Sequence, residues 1–188
     1  VKTRDLAYVA LFAAITAVLG LLPPVPVPGI PVPITAQTLG VMLAGSVLGA
    51  RLGGLALLTF LAVVAMGVPL LSGGRGGLAV FVSPSAGYLY AFPVAAFAIG
   101  LLTQLTWRHF NLAWAMVANL VGGVAVIYAL GIPFTALYGD VSLSAAATGS
   151  LSFIPGDLVK AGVASVVAVA VRRAYPVIEL PRRRPAAG

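Results

Sequence analysis

Cysteine is absent from the 188 residues, which excludes disulfides and thiolate chemistry. Charge is scarce as well: 8% of the residues are charged, where a soluble globular chain carries roughly 25%. A water-soluble domain of this size needs far more polar surface than that. Acids number four and histidine one, so the chain has few groups from which to build a catalytic or metal centre. His109 sits alone in the polar break Trp107-Arg108-His109, and a loop residue is the expected role. No metal-ligand spacing, nucleophile elbow or pair of catalytic acids occurs, and Arg75-Gly76-Gly77 lacks the Gly-Lys-Ser/Thr ending of a phosphate loop. The expectation is a protein that is not an enzyme, with no metal and no cofactor, unable to hydrolyse ATP by that route.

What is present is apolar. Hydrophobic residues make up 61% of the chain and the mean hydropathy is +1.09. Lipid is the solvent that suits such a composition, and in lipid the backbone must satisfy its own hydrogen bonds in helices or a closed barrel. The apolar runs are long and show no period-two alternation, which excludes the barrel. The fold class expected is therefore an all-α integral membrane protein. The net charge of +7 then marks the cytoplasmic side of a membrane rather than a nucleic-acid surface. Lys2 and Arg4 precede an apolar run as they would in a signal peptide, but further spans follow, so this run is expected to be a first transmembrane helix.

A span needs about 17–25 mostly apolar residues. Six are expected, at about 6–22, 34–50, 52–68, 86–106, 111–131 and 157–173, with residues 1–188 forming one transmembrane substrate-binding domain. Prolines 23, 24, 26, 28, 31 and 33 end the first span; they cannot be helical and should run extended at the membrane surface. The turn between spans two and three is expected near Gly49-Ala50-Arg51-Leu52-Gly53-Gly54, and the segment from Ile132 to Gly156 as a longer, less apolar connection. With both termini cytoplasmic, Lys2, Arg4, Arg51, Arg108 and the tail residues Arg172, Arg173, Arg182, Arg183 and Arg184 all lie inside. These are nine of the eleven basic residues, as the positive-inside rule requires, and a five- or seven-span count breaks the alternation. Asp5 and Glu179 fall inside, Asp140 and Asp157 outside.

Two basic residues are left over. Arg75 falls in an outer loop and Lys160 in the outer end of the last helix, close to Asp157. A charge in or near the bilayer is costly and marks a candidate functional site. Asp157 and Lys160, at i and i+3, share a helix face. Asp157 after Pro155-Gly156 also suits a helix N-cap, a role compatible with ligand binding. Lys160 in a first turn opposes the helix dipole, so it needs a reason: pairing with Asp157, snorkelling, or a ligand. Arg75 lies between glycine pairs that let backbone approach a ligand, and its planar fork matches a carboxylate. Tyr88, Tyr90, Phe92, Phe81 and Phe97 gather at the start of the fourth span, as interface belt, core, or the wall of a ring pocket. Gly45, Gly49 and Gly53 are spaced by four, for packing inside the bundle; Ala10 with Ala14 and Ala13 with Ala17 could instead meet a partner helix.

Three stretches carry a resemblance: Pro33-Ile34-Thr35-Ala36-Gln37-Thr38-Leu39-Gly40-Val41; Ser72-Gly73-Gly74-Arg75-Gly76-Gly77 through Pro84-Ser85-Ala86-Gly87-Tyr88-Leu89; and Phe153-Ile154-Pro155-Gly156-Asp157-Leu158-Val159-Lys160. Together they resemble the BioY family, the biotin-binding S components of energy-coupling-factor transporters, over nearly the whole chain. The resemblance implies six helices with both ends cytoplasmic, a multi-pass protein of the plasma membrane, and a vitamin held near the outer face under the loops between helices one and two and three and four. It implies biotin as ligand, a transmembrane coupling subunit met by small residues of the first helix (Ala10, Ala13, Ala14, Ala17), and two ATPase subunits that alone use ATP; no nucleic acid is involved. For biotin, Asp157 would accept from the ureido N–H groups, Lys160 would donate to the ureido carbonyl, Arg75 would take the valerate carboxylate, and Tyr88 would wall the fused rings, with Gln37 in the same pocket. An S component for thiamine or riboflavin, or an autonomous small-solute transporter, are the alternatives.

Overall fold

Apolar sequence turns helical nearly everywhere in the computed structural model, which describes residues 2–178. The helices are α1 (Thr3–Gly20), α2 (Gln37–Leu48), α3 (Ala50–Ala65), α4 (Ala86–Leu105), α5 (Leu112–Leu120), α6 (Ile127–Tyr138), α7 (Leu143–Ser150) and α8 (Ile154–Ala174). A π-helical stretch, Val121–Val126, joins α5 to α6 without a break. Four helical segments are long and apolar enough to cross a membrane: Thr3–Gly20, Ala86–Leu105, Leu112–Tyr138 and Leu143–Ala174. The two remaining apolar helices, α2 and α3, are shorter, at 12 and 16 residues. The chain is thus an all-α, multi-pass membrane protein. Arg182, Arg183, Arg184 and Glu179 lie outside the described residues.

Several boundaries differ from expectation. The first span lies at Thr3–Gly20 rather than 6–22, and the fourth agrees within a residue. The second is trimmed to α2, because Ile34 is held in an extended bridge, and the third is shifted to α3, which starts two residues earlier and is closed by a turn at Met66-Gly67. The turn between them is one residue, Gly49, with φ +81 and ψ −178, a backbone region open essentially to glycine alone. The fifth span runs on past Gly131 to Tyr138, carrying Pro133 within the helix. The connection expected from Ile132 to Gly156 is mostly helical, and α8 begins at Ile154, three residues before Asp157. Pro155 fits that first turn, where its missing N–H has no helical partner to lose. Asp157 is therefore not the N-cap.

Helix α2 is the centre of the bundle. It packs on α1, α3, α4 and α8, and Val41, Met42 and Ala44 are fully buried. A helix apolar on all sides is one buried on all sides. Small residues set the close approaches: a Cβ on Gly45 would strike the Ala96 carbonyl and Ile99, and one on Gly53 would strike Ala44, so this glycine series does serve packing within the chain. Across the middle of the bundle a buried polar chain links three helices. Ser46 Oγ lies 3.5 Å from Asn119 Oδ1, and Asn119 Nδ2 donates to Ser165 Oγ at 3.1 Å.

The proline segment is extended, and it also folds back. Val25 and Ile34 exchange backbone hydrogen bonds of 2.9 and 2.8 Å, turning at Gly29 with φ +84. The tip packs inward: Ile30 and Val32 are buried, with Ile30 against Gly149 and Pro31 against Gly139. The α1–α2 loop thus caps one end of the bundle, over α6 and α7. Between α3 and α4 the chain forms a second compact loop. Leu71 and Arg75 pair by backbone bonds of 3.0 and 3.2 Å, and Gly73, Gly74 and Gly77 take positive φ around them. These two loops meet the N-terminus of α2 and the start of α8 at the same end of the molecule.

Candidate functional site

A cavity of about 60 Å³ opens where those elements converge. Its lining includes Arg75, Asp157, Lys160, Tyr88 and Gln37, so all five residues singled out from the sequence for substrate binding come together there. The apolar part of the wall comes from Ile34, Leu71, Leu89, Phe92 and Phe153.

Asp157 and Lys160 are brought in by the first turns of α8, on one helix face. Lys160 Nζ donates to Asp157 Oδ1 at 2.9 Å, to Thr38 Oγ1 at 2.9 Å and to the carbonyl of Thr35 at 2.7 Å. All three ammonium donors are therefore used. The cation that should oppose the α8 dipole is explained by this cradle, which spans α8, the end of the proline loop and the first turn of α2. Asp157 Oδ2 accepts from the Tyr128 hydroxyl at 2.7 Å, and Oδ1 lies 3.4 Å from Thr38 Oγ1. The side chains of Lys160 and Asp157 are 14% and 4% exposed. Taking two charges out of water is costly unless their remaining hydrogen-bonding capacity is filled, and here it is filled within the cavity wall.

Arg75 enters from the loop between α3 and α4. Its Nε donates to the Ser72 carbonyl at 3.3 Å and its Nη1 to Ser85 Oγ at 3.1 Å, while Ser83 and Ser85 hydroxyls lie 3.1 Å apart. No carboxylate among the described residues pairs with this guanidinium. The aromatic wall is tied down as well. Tyr88 shares a 3.0 Å hydrogen bond with Ser150, and Phe153 meets Tyr88 and Tyr128 edge-on, with ring centres 6.0 and 6.2 Å apart. Of the aromatic group expected near α4, Tyr88 and Phe92 face the cavity. Phe81 packs on Tyr90, whose hydroxyl bonds the Phe81 carbonyl, and Phe97 is exposed on the outer surface.

Gln37 lines the cavity, yet its amide is already spent. Nε2 donates to the carbonyls of Leu70, at 3.2 Å, and Thr16, at 3.4 Å; Oε1 accepts from the Ser72 amide at 3.3 Å and lies 3.5 Å from Ser72 Oγ. The side chain staples α1 and the Arg75 loop to α2, and the residue is 2% exposed. Sequence reasoning missed Tyr128 and the direct part played by Thr35, Thr38 and Ser85. Tyr128 lies in an uninterrupted apolar run where one hydroxyl barely alters the pattern. Thr35 acts through its backbone carbonyl, which no side-chain pattern reveals, whereas Thr38 directly follows Gln37 in the first turn of α2.

Of the alanines on α1, Ala13 and Ala17 pack against the core, while Ala10 and Ala14 face outward beside the exposed Leu11 and Val18. No group of three or more His, Cys, Asp or Glu side chains that could hold a metal occurs among the described residues.

A sequence model of the BioY family matches residues 1–177. The biotin transporter BioY of Rhizobium etli is 48% identical over 182 residues, covering 94% of this chain and 97% of its own. The probable biotin transporter BioY of Bacillus subtilis is 46% identical over 173 residues, covering 92% of each. Among solved structures, the S-component for biotin from an ECF-type ABC transporter superposes with a TM-score of 0.87 at 34% identity, over 92% of both chains.

Proposed function

The chain belongs to the BioY family, and from that premise we propose that it is the S component of an energy-coupling-factor transporter, capturing biotin at the outer face of the plasma membrane. The observation that carries the proposal is the paired Asp157–Lys160 set sharing one apolar-walled cavity with Arg75. A few directed polar groups in an apolar cavity is the usual design of a small-molecule site. Biotin presents a complementary outline: a ureido group with two N–H donors and one carbonyl, fused apolar rings, and a carboxylate on a flexible chain.

Binding is an exchange of hydrogen bonds. In the protein alone Lys160, Asp157, Tyr128 and Thr38 satisfy one another. The ureido N–H groups replace donors to the Asp157 carboxylate, and the ureido carbonyl takes one ammonium proton of Lys160. The Tyr88, Phe92 and Phe153 rings line the fused ring system. The carboxylate reaches Arg75, whose bonds to a serine hydroxyl and a backbone carbonyl are exchanged for a charge-assisted pair. Gln37 acts by holding the Arg75 loop rather than by touching ligand.

Six crossings with both termini cytoplasmic accompany this function, with residues 1–188 as one binding unit. The distribution of basic residues supports that orientation. A transmembrane coupling subunit and two ATPase subunits supply the energy, and the outward face of α1 at Ala10 and Ala14 is the proposed meeting point with the coupling subunit. The deciding experiment titrates labelled biotin into the purified protein against thiamine and riboflavin. Saturable biotin binding that neither vitamin displaces is the expected result; displacement by either one refutes biotin as the ligand.

A further inference from the structure

Two cavities meet at the end of the molecule away from the candidate site, about 18 Å down the 12 residues of α2. The first, of about 290 Å³, is polar and basic, with Lys2, Arg4, Arg51, Gln104 and the single acid Asp5 in its wall. The second, of about 480 Å³, is an open groove between α3 and α4, walled by Leu55, Leu58, Pro93, Val94 and Phe97 over the floor of Gly54. Arg51 and Leu55 belong to both. On α3, residues 51, 54, 55 and 58 follow the i, i+3, i+4, i+7 pattern of one helix face, so the groove leads straight from the guanidinium along about 10 Å of apolar surface.

We propose that this joined site holds one anionic phospholipid, with its phosphate at Arg51 and an acyl chain in the α3–α4 groove. A basic pocket continuous with an apolar channel is complementary to a molecule that carries a negative headgroup on a hydrocarbon tail. Leu58, Val94 and Phe97 are 54, 50 and 46% exposed, so the groove is open to the side. No hydrogen bond or ion pair engages Arg51 among the described residues, and it lies in the first turn of α3, where the positive end of the helix adds to its charge. Lys2 and Arg4 have other partners and contribute charge only; Asp5 is turned to its own helix start, accepting the Lys2 amide at 2.9 Å.

The test is native mass spectrometry of the full chain released from micelles holding equal amounts of phosphatidylglycerol and phosphatidylcholine. The parent is expected to retain the anionic lipid with a preference of about fivefold, the discrimination one basic residue gives at an anionic surface. Arg51→Gln should bring the ratio near one, Arg51→Lys should keep most of it, and Gly54→Leu, which fills the floor, should lower retention of both lipids. Biotin titration of the same variants should be unchanged, which separates a local effect from loss of fold and from failure of the biotin proposal. Equal retention by the parent, or a preference that survives Arg51→Gln, overturns the site. Equally good binding of sn-glycerol 3-phosphate alone also overturns it, by showing a site for a free anion. A parent without preference whose Arg51→Gln variant loses the coupling subunit overturns it in favour of a protein contact.

Discussion

Asp157 serves three neighbours at once, accepting from Lys160 and Tyr128 with Thr38 close by, and that makes its charge testable. Hydrogen bonds to a charged group contribute about 1.5–3 kcal/mol each. Asp157→Asn keeps the shape and removes the charge, so biotin affinity should fall about 10- to 100-fold by calorimetric titration. An affinity equal to the parent's would end the ureido role. Arg75 is tested by its selectivity. The parent should prefer biotin over its carboxyl-blocked amide, and Arg75→Ala should abolish the preference while leaving affinity for the amide nearly as before; an undiminished preference removes the carboxylate role. These residues were legible in the sequence because charge is so costly in an apolar chain that each buried instance demands a reason. Tyr128 and Thr38 were not, since a tyrosine ring passes as part of an apolar run and a threonine hydroxyl is tolerated in a helix by bonding locally, and neither betrays a purpose until its partner is seen. The N-cap expected of Asp157 failed for a local reason: Pro155 is a good first-turn residue, and it drew the helix start back to Ile154.

Elements meet at the site through Gln37, which ties α1 and the Arg75 loop to the first turn of α2. Gln37→Leu removes the acceptor of the Ser72 amide and the donor to the Leu70 carbonyl, leaving buried groups unpaired at a cost of about 1–3 kcal/mol each. Melting temperature should drop, and biotin should lose affinity more than its amide does, because the loop that presents Arg75 is freed. Equal losses for the two ligands would mean that Gln37 does not act through Arg75. At the other end of α2, Gly49→Ala forces a side chain into a glycine-only backbone region and against Gln104, 3.0 Å from the added atom. A cost of about 1–3 kcal/mol is expected as a lower melting temperature with biotin affinity preserved. Helix existence was readable at this scale, and helix ends were not. Gly131-Ile132-Pro133 looks like a terminus, yet the helix continues to Tyr138, because proline and glycine inside membrane helices are accommodated by neighbouring packing. Residues 143–150 carry enough Ser and Thr to suggest a loop; they form a helix instead, capped by Ser142 and packed on α6, with Ala146 and Ser150 buried.

Across the whole molecule, the proposed topology meets its hardest point at α2 and α3. Twelve and sixteen residues rise about 18 and 24 Å, less than the roughly 30 Å of a hydrocarbon core. Six crossings therefore require the extended segment before α2 and the turn after α3 to complete the span, whereas a re-entrant hairpin would leave Gly49 buried and the crossings at four. The positive charge of Arg51 beside that turn favours crossing, since an arginine is drawn to the cytoplasmic surface. The absence of cysteine makes the choice direct to measure. Single cysteines placed at the exposed positions Thr3, Arg51, Leu78, His109 and Ser144 can each be challenged with a membrane-impermeant maleimide in intact cells and after permeabilisation. Six crossings give labelling from outside at Leu78 and Ser144, and labelling only after permeabilisation at Thr3, Arg51 and His109. A hairpin that enters and leaves by the same face would leave Thr3, Leu78, His109 and Ser144 in that pattern and change Arg51 alone, to no labelling or to labelling from outside, so that one position separates the two arrangements. An inverted pattern at all five would turn the binding cavity to the cytoplasm, and capture from outside would fall with it.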